Sequence, residues 1–201
     1  ERIRDGLSCS CEIMRLDCYY FDQGGKPFEE RTKVNYDSPK IFDFDEMLAD
    51  IRLLLDGKPV TRKGYNYVEH RRDDSEELMY PPEVLIIEGI HVFYDDRICD
   101  AMNLKLFIKV DSDICLLRRI ARDMNERGRS LESISEQYKA TVKPMREKYI
   151  DRYIDKADVV VMRGGMNEQA LKTTISYLKS CVKEQRLAES EKNESDGNDS
   201  E

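Results

Sequence analysis

The stretch Val84-Leu-Ile-Ile-Glu-Gly-Ile90 decides the fold class, because four consecutive apolar residues run into a carboxylate and a glycine. An apolar run without alternation is typical of a strand that is buried on both faces, as strands of parallel sheets are. Similar runs at residues 104–110 and 157–162 predict two more such strands. A shorter strand is predicted at residues 12–16, directly before Asp17.

Helical patterns lie between and beside these strands. Residues 43–55 carry one apolar stripe, and Asp43 can cap this helix with Glu46 at the capping-box position. Further helices are predicted at residues 113–126, 131–150 and 167–184. Strands that alternate with helices predict an α/β fold with a parallel, doubly wound sheet.

Residues 60–80 depart from this alternation and predict a β-hairpin, with Tyr65, Tyr67 and His70 near its first strand and a charged turn at residues 71–77. An aromatic ring beside an imidazole can stack on a nucleobase and hydrogen-bond to it. Either residue type alone is more often a packing or surface residue.

The 201 residues, of which 40% are hydrophobic and 37% charged, suit one α/β domain. We assign residues 1–185 to this domain and predict a disordered acidic tail at residues 186–201, which have few apolar side chains to bury. The net charge of −8 argues against a nucleic-acid partner. No apolar run approaches the roughly 20 residues needed to span a bilayer. Six cysteines without paired spacing predict reduced thiols in a cytoplasmic protein.

Two carboxylates are predicted at strand ends, Asp17 and Glu88. Ligands of open α/β sheets bind at the carboxyl ends of the strands. A carboxylate pair placed there can accept a proton from a hydroxyl nucleophile and help to hold a magnesium ion, as phosphoryl transfer requires. The alternative reading is that each carboxylate caps a loop or a helix.

A cluster of arginines follows in the predicted helix 113–126 and just after it. Its members are Arg118, Arg119, Arg122, Arg127 and Arg129. Arg119 and Arg122 are three residues apart and share a helix face. Gly128 indicates a bend beside the cluster. Guanidinium groups match phosphate oxygens, although a solvated helix face is the alternative. The residue pattern alone therefore predicts an α/β phosphotransfer or anion-binding domain.

A family resemblance extends this prediction over roughly residues 12–180. It rests on collinear motifs: Arg15-Leu-Asp-Cys-Tyr-Tyr20, Val34-Asn-Tyr-Asp-Ser-Pro39, Tyr65-Asn-Tyr-Val-Glu-His70, Val84-Leu-Ile-Ile-Glu-Gly-Ile90, Arg118-Arg-Ile-Ala-Arg-Asp123, Glu126-Arg-Gly-Arg129, Gln137-Tyr138, Val142-Lys-Pro144 and Arg163-Gly-Gly165. These motifs resemble the uridine-cytidine kinases of the phosphoribulokinase/uridine kinase superfamily of P-loop kinases. Phosphoribulokinase itself is less similar, because the Tyr-x-Tyr-Val-x-His segment is typical of the nucleoside kinases.

The resemblance implies an enzyme that phosphorylates the 5′-hydroxyl of uridine or cytidine in pyrimidine salvage, with ATP as co-substrate and Mg²⁺ as cofactor. It also implies a P-loop kinase-like sheet with a small β-hairpin substrate subdomain and a helical lid, and a homo-oligomer that binds no nucleic acid and no membrane. Asp17 matches the catalytic base of the family, and Glu88 matches an acidic strand end near magnesium, which Asp17 would share.

The substrate contacts implied by the resemblance are spread over three segments. Asp37 matches the carboxylate that holds the ribose hydroxyls, while Tyr65 and His70 match residues that contact the pyrimidine. Further substrate contacts match Arg119, Arg129 and Gln137. Arg122 matches a lid arginine near the phosphates.

The sequence departs from the family pattern at two places. The family opens with a strand and a glycine-rich loop ending in Gly-Lys-Ser or Gly-Lys-Thr, and residues 1–201 contain no such motif. An acidic residue that often follows the Arg-Gly-x segment is replaced by Met166. We therefore expect an incomplete copy of a uridine kinase that alone would be poorly soluble and would not phosphorylate uridine. The alternatives are a non-catalytic nucleoside-binding or regulatory subunit and a phosphotransferase with another hydroxyl substrate.

Overall fold

The computed structural model describes residues 1–66 and 68–198. Its helices and strands are, in chain order, α1 (Arg2–Gly6), β1 (Cys11–Arg15), α2 (Phe28–Arg31), α3 (Phe44–Leu55), β2 (Val60–Asn66), β3 (Arg71–Met79), β4 (Val84–Glu88), α4 (Asp96–Asp100), β5 (Leu106–Ile108), α5 (Ser112–Asn125), α6 (Leu131–Gln137), α7 (Lys143–Lys148), β6 (Val159–Val161) and α8 (Glu168–Asn198). Short 3₁₀ turns occupy Leu16–Tyr19, Pro39–Ile41, Ile150–Lys156 and Gly164–Met166, and a π-helical turn occupies Tyr138–Val142.

The strands predicted from the apolar runs form two parallel pairs. Strand β1 pairs with β4, with Arg15 opposite Glu88, and β5 pairs with β6. The parallel α/β class is therefore confirmed. The four apolar side chains of β4 are half-buried rather than buried on both faces as predicted. The reason is that, within the described residues, β4 is paired along one edge only, by β1.

The predicted hairpin is present, but the prediction placed its turn wrongly. Strands β2 and β3 are antiparallel with Val60 opposite Met79. The charged residues 71–77 lie in β3, and the chain turns at residues 68–70. Charged side chains are stable in this strand because they are paired: Arg72 donates to Glu46 of α3, and its Nε donates to the Tyr20 carbonyl oxygen, 2.8 Å away. Tyr67, predicted near the first strand, lies outside the described residues.

The main core joins β1, α3 and the hairpin. Met14, Leu16, Met47 and Ile98 are its least exposed members, each at 0%. Each such side chain contributes about 1.5–3 kcal/mol through burial. This packing fixes the segment that follows β1, where Asp17 lies.

Helix α3 begins as the sequence predicts. The Asp43 carboxylate accepts a hydrogen bond from the Glu46 backbone N–H at 2.9 Å, which satisfies one of the unpaired donors of the first turn. The apolar stripe of this helix lies on its buried face.

The single helix predicted at residues 131–150 is divided into α6, the π-helical turn and α7. The three pieces are continuous, so the predicted helix is present over residues 131–148 with a π-helical turn inside it. Pro144, which cannot donate the N–H of a regular helix, lies just after this turn. The wide turn places the Thr141 hydroxyl 3.1 Å from the Gln137 carbonyl oxygen and 2.8 Å from a carboxylate oxygen of Asp37.

Helix α8 is longer than predicted and continues to Asn198, through residues that composition assigned to a disordered tail. The Arg186 guanidinium lies 2.6 Å from the Glu83 carboxylate, and Gln185 donates to Glu189 one turn later. Residues 199–201 lie outside the described residues. The division of the chain after residue 185 stays a prediction. Within the described part of the chain, we find no helix whose length and apolar content would let it cross a membrane.

Candidate active site

The two strand-end carboxylates are neighbours in the structure. Asp17 lies in the turn that follows β1, and Glu88 is the last residue of β4. Burial raises the pKa of Glu88, and the nearby negative charge of Asp17 raises it further. Arg15, whose Nε is 3.4 Å from Glu88 Oε1, opposes this shift. A Cβ at Gly89 would lie 2.5 Å from Leu16 Cβ, so only glycine lets the chain after Glu88 pass so close to β1.

This acidic pair fits a magnesium ion that obtains most of its ligands elsewhere. A cation reduces the repulsion between two neighbouring carboxylates. Mg²⁺ is usually held by one or two carboxylates together with substrate phosphates and water. In residues 1–66 and 68–198, no group of three or more His, Cys, Asp or Glu side chains is arranged to hold a metal. Asp17 and Glu88 would thus supply only part of the coordination of such an ion.

Four of the predicted substrate residues form one network. Asp37 Oδ1 lies 3.7 Å from Arg119 Nη1, and Arg119 Nη2 donates to Gln137 Oε1 at 3.0 Å. Arg129 donates to the same Gln137 oxygen. Asp37 Oδ2 accepts from the Thr141 hydroxyl. Helix α5 and the π-helical turn thus contact the Asp37 carboxylate directly, and α6 joins the network through Gln137.

The arginine cluster is centred on Asp123, which the sequence analysis did not select. Its side chain is 0% exposed. Its oxygens lie 3.6 Å from Arg119 Nε, 3.0 Å from Arg122 Nη2, 3.4 Å from Arg127 Nη1 and 3.7 Å from Arg129 Nη1. Its spacing of four residues from both Arg119 and Arg127 was the signal in the sequence.

The guanidinium groups differ in exposure. Arg119 and Arg129 are 19% and 29% exposed, whereas Arg122 and Arg127 are 44% and 40% exposed. Burial lowers the pKa of Arg119, and the carboxylates of Asp37 and Asp123 oppose this shift. The inner pair thus faces the Asp37 network, and the outer pair faces solvent.

The hairpin contributes an aromatic group beside this network. The His70 ring stacks on Tyr36, the residue before Asp37, with centroids 5.0 Å apart and planes at 27°. The Tyr20 ring lies 5.6 Å from that of Tyr36 and 4.6 Å from that of Tyr65. Tyr20 is three residues from Asp17, so the aromatic group connects the acidic pair to the Asp37 network.

His70 occupies a conformation that few residues adopt. Its φ is +50°, in the left-handed region, where a non-glycine residue is uncommon and often marks a functional site. Burial lowers the pKa of His70, and the positive charges of Arg31, Arg127 and Arg129 lower it further. The imidazole therefore lies within the field of the arginine cluster and is neutral at pH 7.

Strand-end carboxylates and clustered guanidinium groups are the parts that an enzyme of phosphoryl transfer needs. Residues 11–170 match the model of the Phosphoribulokinase / Uridine kinase family. The chain belongs to that family.

Individual relatives agree with this assignment. The uridine kinase of Ligilactobacillus salivarius is 42% identical over 171 residues, which cover 85% of this chain and 80% of the relative. The uridine kinase of Streptococcus gordonii is 44% identical over 174 residues, which cover 87% and 83%. Phosphoribulokinase from Rhodobacter spheroides has a similar fold, with a TM-score of 0.62 at 13% identity over 80% of this chain and 63% of that one. The resemblance to uridine kinases and the P-loop kinase-like fold are thereby confirmed.

Proposed function

We propose that this protein is an ATP-dependent nucleoside kinase that phosphorylates the 5′-hydroxyl of uridine and cytidine in pyrimidine salvage. The observation that carries the proposal is the position of Asp37, whose carboxylate lies 3.7 Å from Arg119 and which directly follows Tyr36, the ring on which His70 stacks. The uridine kinases among its relatives support the substrate class. The six cysteines are free thiols, which fits a cytosolic enzyme.

The nucleoside is held by its ribose and its base. The Asp37 carboxylate accepts hydrogen bonds from the ribose hydroxyls, and acceptors that carry charge form the stronger bonds. Tyr65 supplies an aromatic face for the pyrimidine and His70 hydrogen-bonds its edge. The remaining substrate contacts are made by Arg119, Arg129 and Gln137.

The chemical step needs one proton acceptor and positive charge at the phosphates. Asp17 takes the proton of the 5′-hydroxyl while the hydroxyl oxygen forms a bond to the γ-phosphorus of ATP. The bond from that phosphorus to the β-phosphate oxygen breaks, and ADP is released. Arg122 stabilises the negative charge on the transferred group. Asp17 and Glu88 would hold Mg²⁺, which neutralises phosphate charge when bound.

The first test replaces the ribose acceptor. We expect Asp37→Asn to weaken uridine binding about 10- to 100-fold, because a hydrogen bond to a charged group contributes about 1.5–3 kcal/mol. Isothermal titration calorimetry measures the dissociation constant without turnover. Asp56→Asn, at the exposed end of α3, is the matched control and should bind normally. If the affinity of Asp37→Asn for uridine is unchanged, Asp37 does not bind the ribose, and the main support for the proposed function is lost.

The second test is the pH dependence of binding. A lowered pKa means that His70 becomes charged only below its ordinary value of about 6.5. We therefore expect uridine affinity to be constant from pH 8 to about 6.5 and to fall at lower pH, where the imidazolium has no acceptor nitrogen left.

His70→Asn provides the control for this titration, since asparagine tolerates a positive φ. The variant should bind more weakly and lose the pH step. A step that persists in His70→Asn would come from another group and would contradict the assignment.

A further inference from the structure

His91 is a buried side chain that the proposed chemistry does not use. It is 0% exposed and lies three residues after Glu88, among the rings of Phe42, Tyr149 and Tyr153. Both ring nitrogens have partners: Nε2 is 2.9 Å from the backbone oxygen of Asp37, and Nδ1 is 3.0 Å from the Tyr153 hydroxyl.

These partners fix the tautomer of the imidazole. A carbonyl oxygen only accepts hydrogen bonds, so Nε2 carries the proton and donates to Asp37. In the neutral ring Nδ1 is then an acceptor, and the Tyr153 hydroxyl donates to it. Burial lowers the pKa of His91, against the opposing effect of Asp37, so the ring stays neutral near pH 7. The Asp37 carbonyl oxygen thus sets the tautomer, and the Tyr153 hydroxyl supplies the donor that Nδ1 then needs.

The main chain of Asp37 is therefore held on both sides. Its N–H donates to Asn35 Oδ1 at 3.1 Å, and its C=O accepts from His91. Its side chain can keep one direction, towards Arg119 and Thr141, only while this main chain is fixed.

We propose that His91, supported by a hydrogen bond from the Tyr153 hydroxyl, is a positioning residue for ribose recognition. It holds the Asp37 carboxylate where the 2′- and 3′-hydroxyls are bound, and it links that carboxylate to Glu88 through a segment of three residues. The inference rests on the proposed role of Asp37 and adds two residues that need not touch substrate.

The test uses a pair of ligands that differ only in the groups that Asp37 would hold. Uridine and 2′,3′-dideoxyuridine are titrated into the full chain and into Asp37→Asn, His91→Phe, Tyr153→Phe and the double variant His91→Phe/Tyr153→Phe. The preference is the ratio of the two affinities. His91→Phe keeps a ring of similar size but donates nothing to Asp37. We expect it to lower the preference about tenfold, with little change for the dideoxynucleoside.

Tyr153→Phe should reduce the preference for uridine less than His91→Phe does. In Tyr153→Phe the bond to Asp37 can still form, but the buried Nδ1 of His91 loses its donor and the ring is held less firmly, so we expect a smaller drop of a few fold. The double variant should be no worse than His91→Phe, because both changes act through one bond. Tyr80→Phe, in which the tyrosine is 64% exposed, is the control and should behave like the unaltered chain.

The outcomes separate this inference from the proposed function. If Asp37→Asn abolishes the preference while both His91→Phe and Tyr153→Phe keep it, the positioning role is wrong and the nucleoside site stands. If Asp37→Asn keeps the preference, the ribose role of Asp37 fails and the inference fails with it. Equal losses for both ligands, together with a lower melting temperature, would mean that His91 only stabilises the fold, which also overturns the inference. Should His91→Phe not fold, Tyr153→Phe decides alone.

Discussion

Replacement of Asp17 by asparagine is expected to lower uridine turnover by roughly 10²–10⁴, the range typical for loss of a general base. Asparagine has the same shape but cannot accept the proton of the 5′-hydroxyl. Leu16, directly before Asp17, and Tyr19, two residues after it, are core side chains that are 0% and 4% exposed. The main chain at position 17 therefore keeps its place in the variant, and uridine affinity should change little.

The measurement requires a phosphate-binding loop. We would determine kcat and KM for uridine in the chain extended before Glu1 by the strand and glycine-rich loop with which the family opens. Asp22→Asn, an exposed change in the loop that follows, serves as the control and should keep its turnover. If Asp17→Asn turns over uridine within a few fold of the unaltered enzyme, another group accepts the proton.

Local patterns predicted the frame of the site well. The apolar run at 84–87 and the strand at 12–16 predicted that Asp17 and Glu88 lie at neighbouring strand ends, because parallel strands place their carboxyl ends at the same edge. The Asp43 cap also followed from spacing alone. Such features depend on residues close in the chain, or on a topology that has few alternatives.

Other features depend on contacts between distant segments, which periodicity does not reveal. The charged residues of β3 read as a turn because their partners, such as Glu46 for Arg72, lie on another element. Helix α8 extends beyond residue 185, and Arg186 pairs with Glu83, about a hundred positions earlier. In β3, tertiary contacts therefore outweighed local preference.

The centre of the site was the hardest part to foresee. Thr141 reaches Asp37 from a π-helical turn, which the sequence pattern of an ordinary helix conceals. Nothing in the sequence around His91 indicates its role. Its two hydrogen bonds are to Asp37 and Tyr153, which are 54 and 62 positions away in the chain. The family resemblance supplied the predicted substrate contacts, whereas the residues that hold Asp37 in place became visible only in three dimensions.

The position of Asp123 in the arginine cluster leads to the other large expected effect. Its carboxylate lies within 3.7 Å of four guanidinium groups and is fully buried. Asp123→Asn keeps the volume but removes the charge that balances them. Loss of one partner of a buried ion pair costs about 3–5 kcal/mol, but the outer arginines are partly exposed, so we expect a loss of about 1–3 kcal/mol in stability.

The effect on catalysis should exceed the effect on stability. Without the central carboxylate the guanidinium groups repel one another, so we expect Arg119 and Arg129 to leave the Asp37 network and Arg122 to lose the ion pair that orients it. We expect kcat/KM for uridine to fall about 10²–10³-fold, because contacts to both the nucleoside and the transferred phosphoryl group weaken together. Glu126→Gln is the matched control, because it also removes one negative charge, but from an exposed residue at the end of α5. It should leave kcat/KM nearly unchanged. The assay uses the extended chain at fixed ionic strength, with a thermal melt of each variant. If Asp123→Asn melts earlier but keeps its kcat/KM, the carboxylate stabilises the helix without directing the arginines.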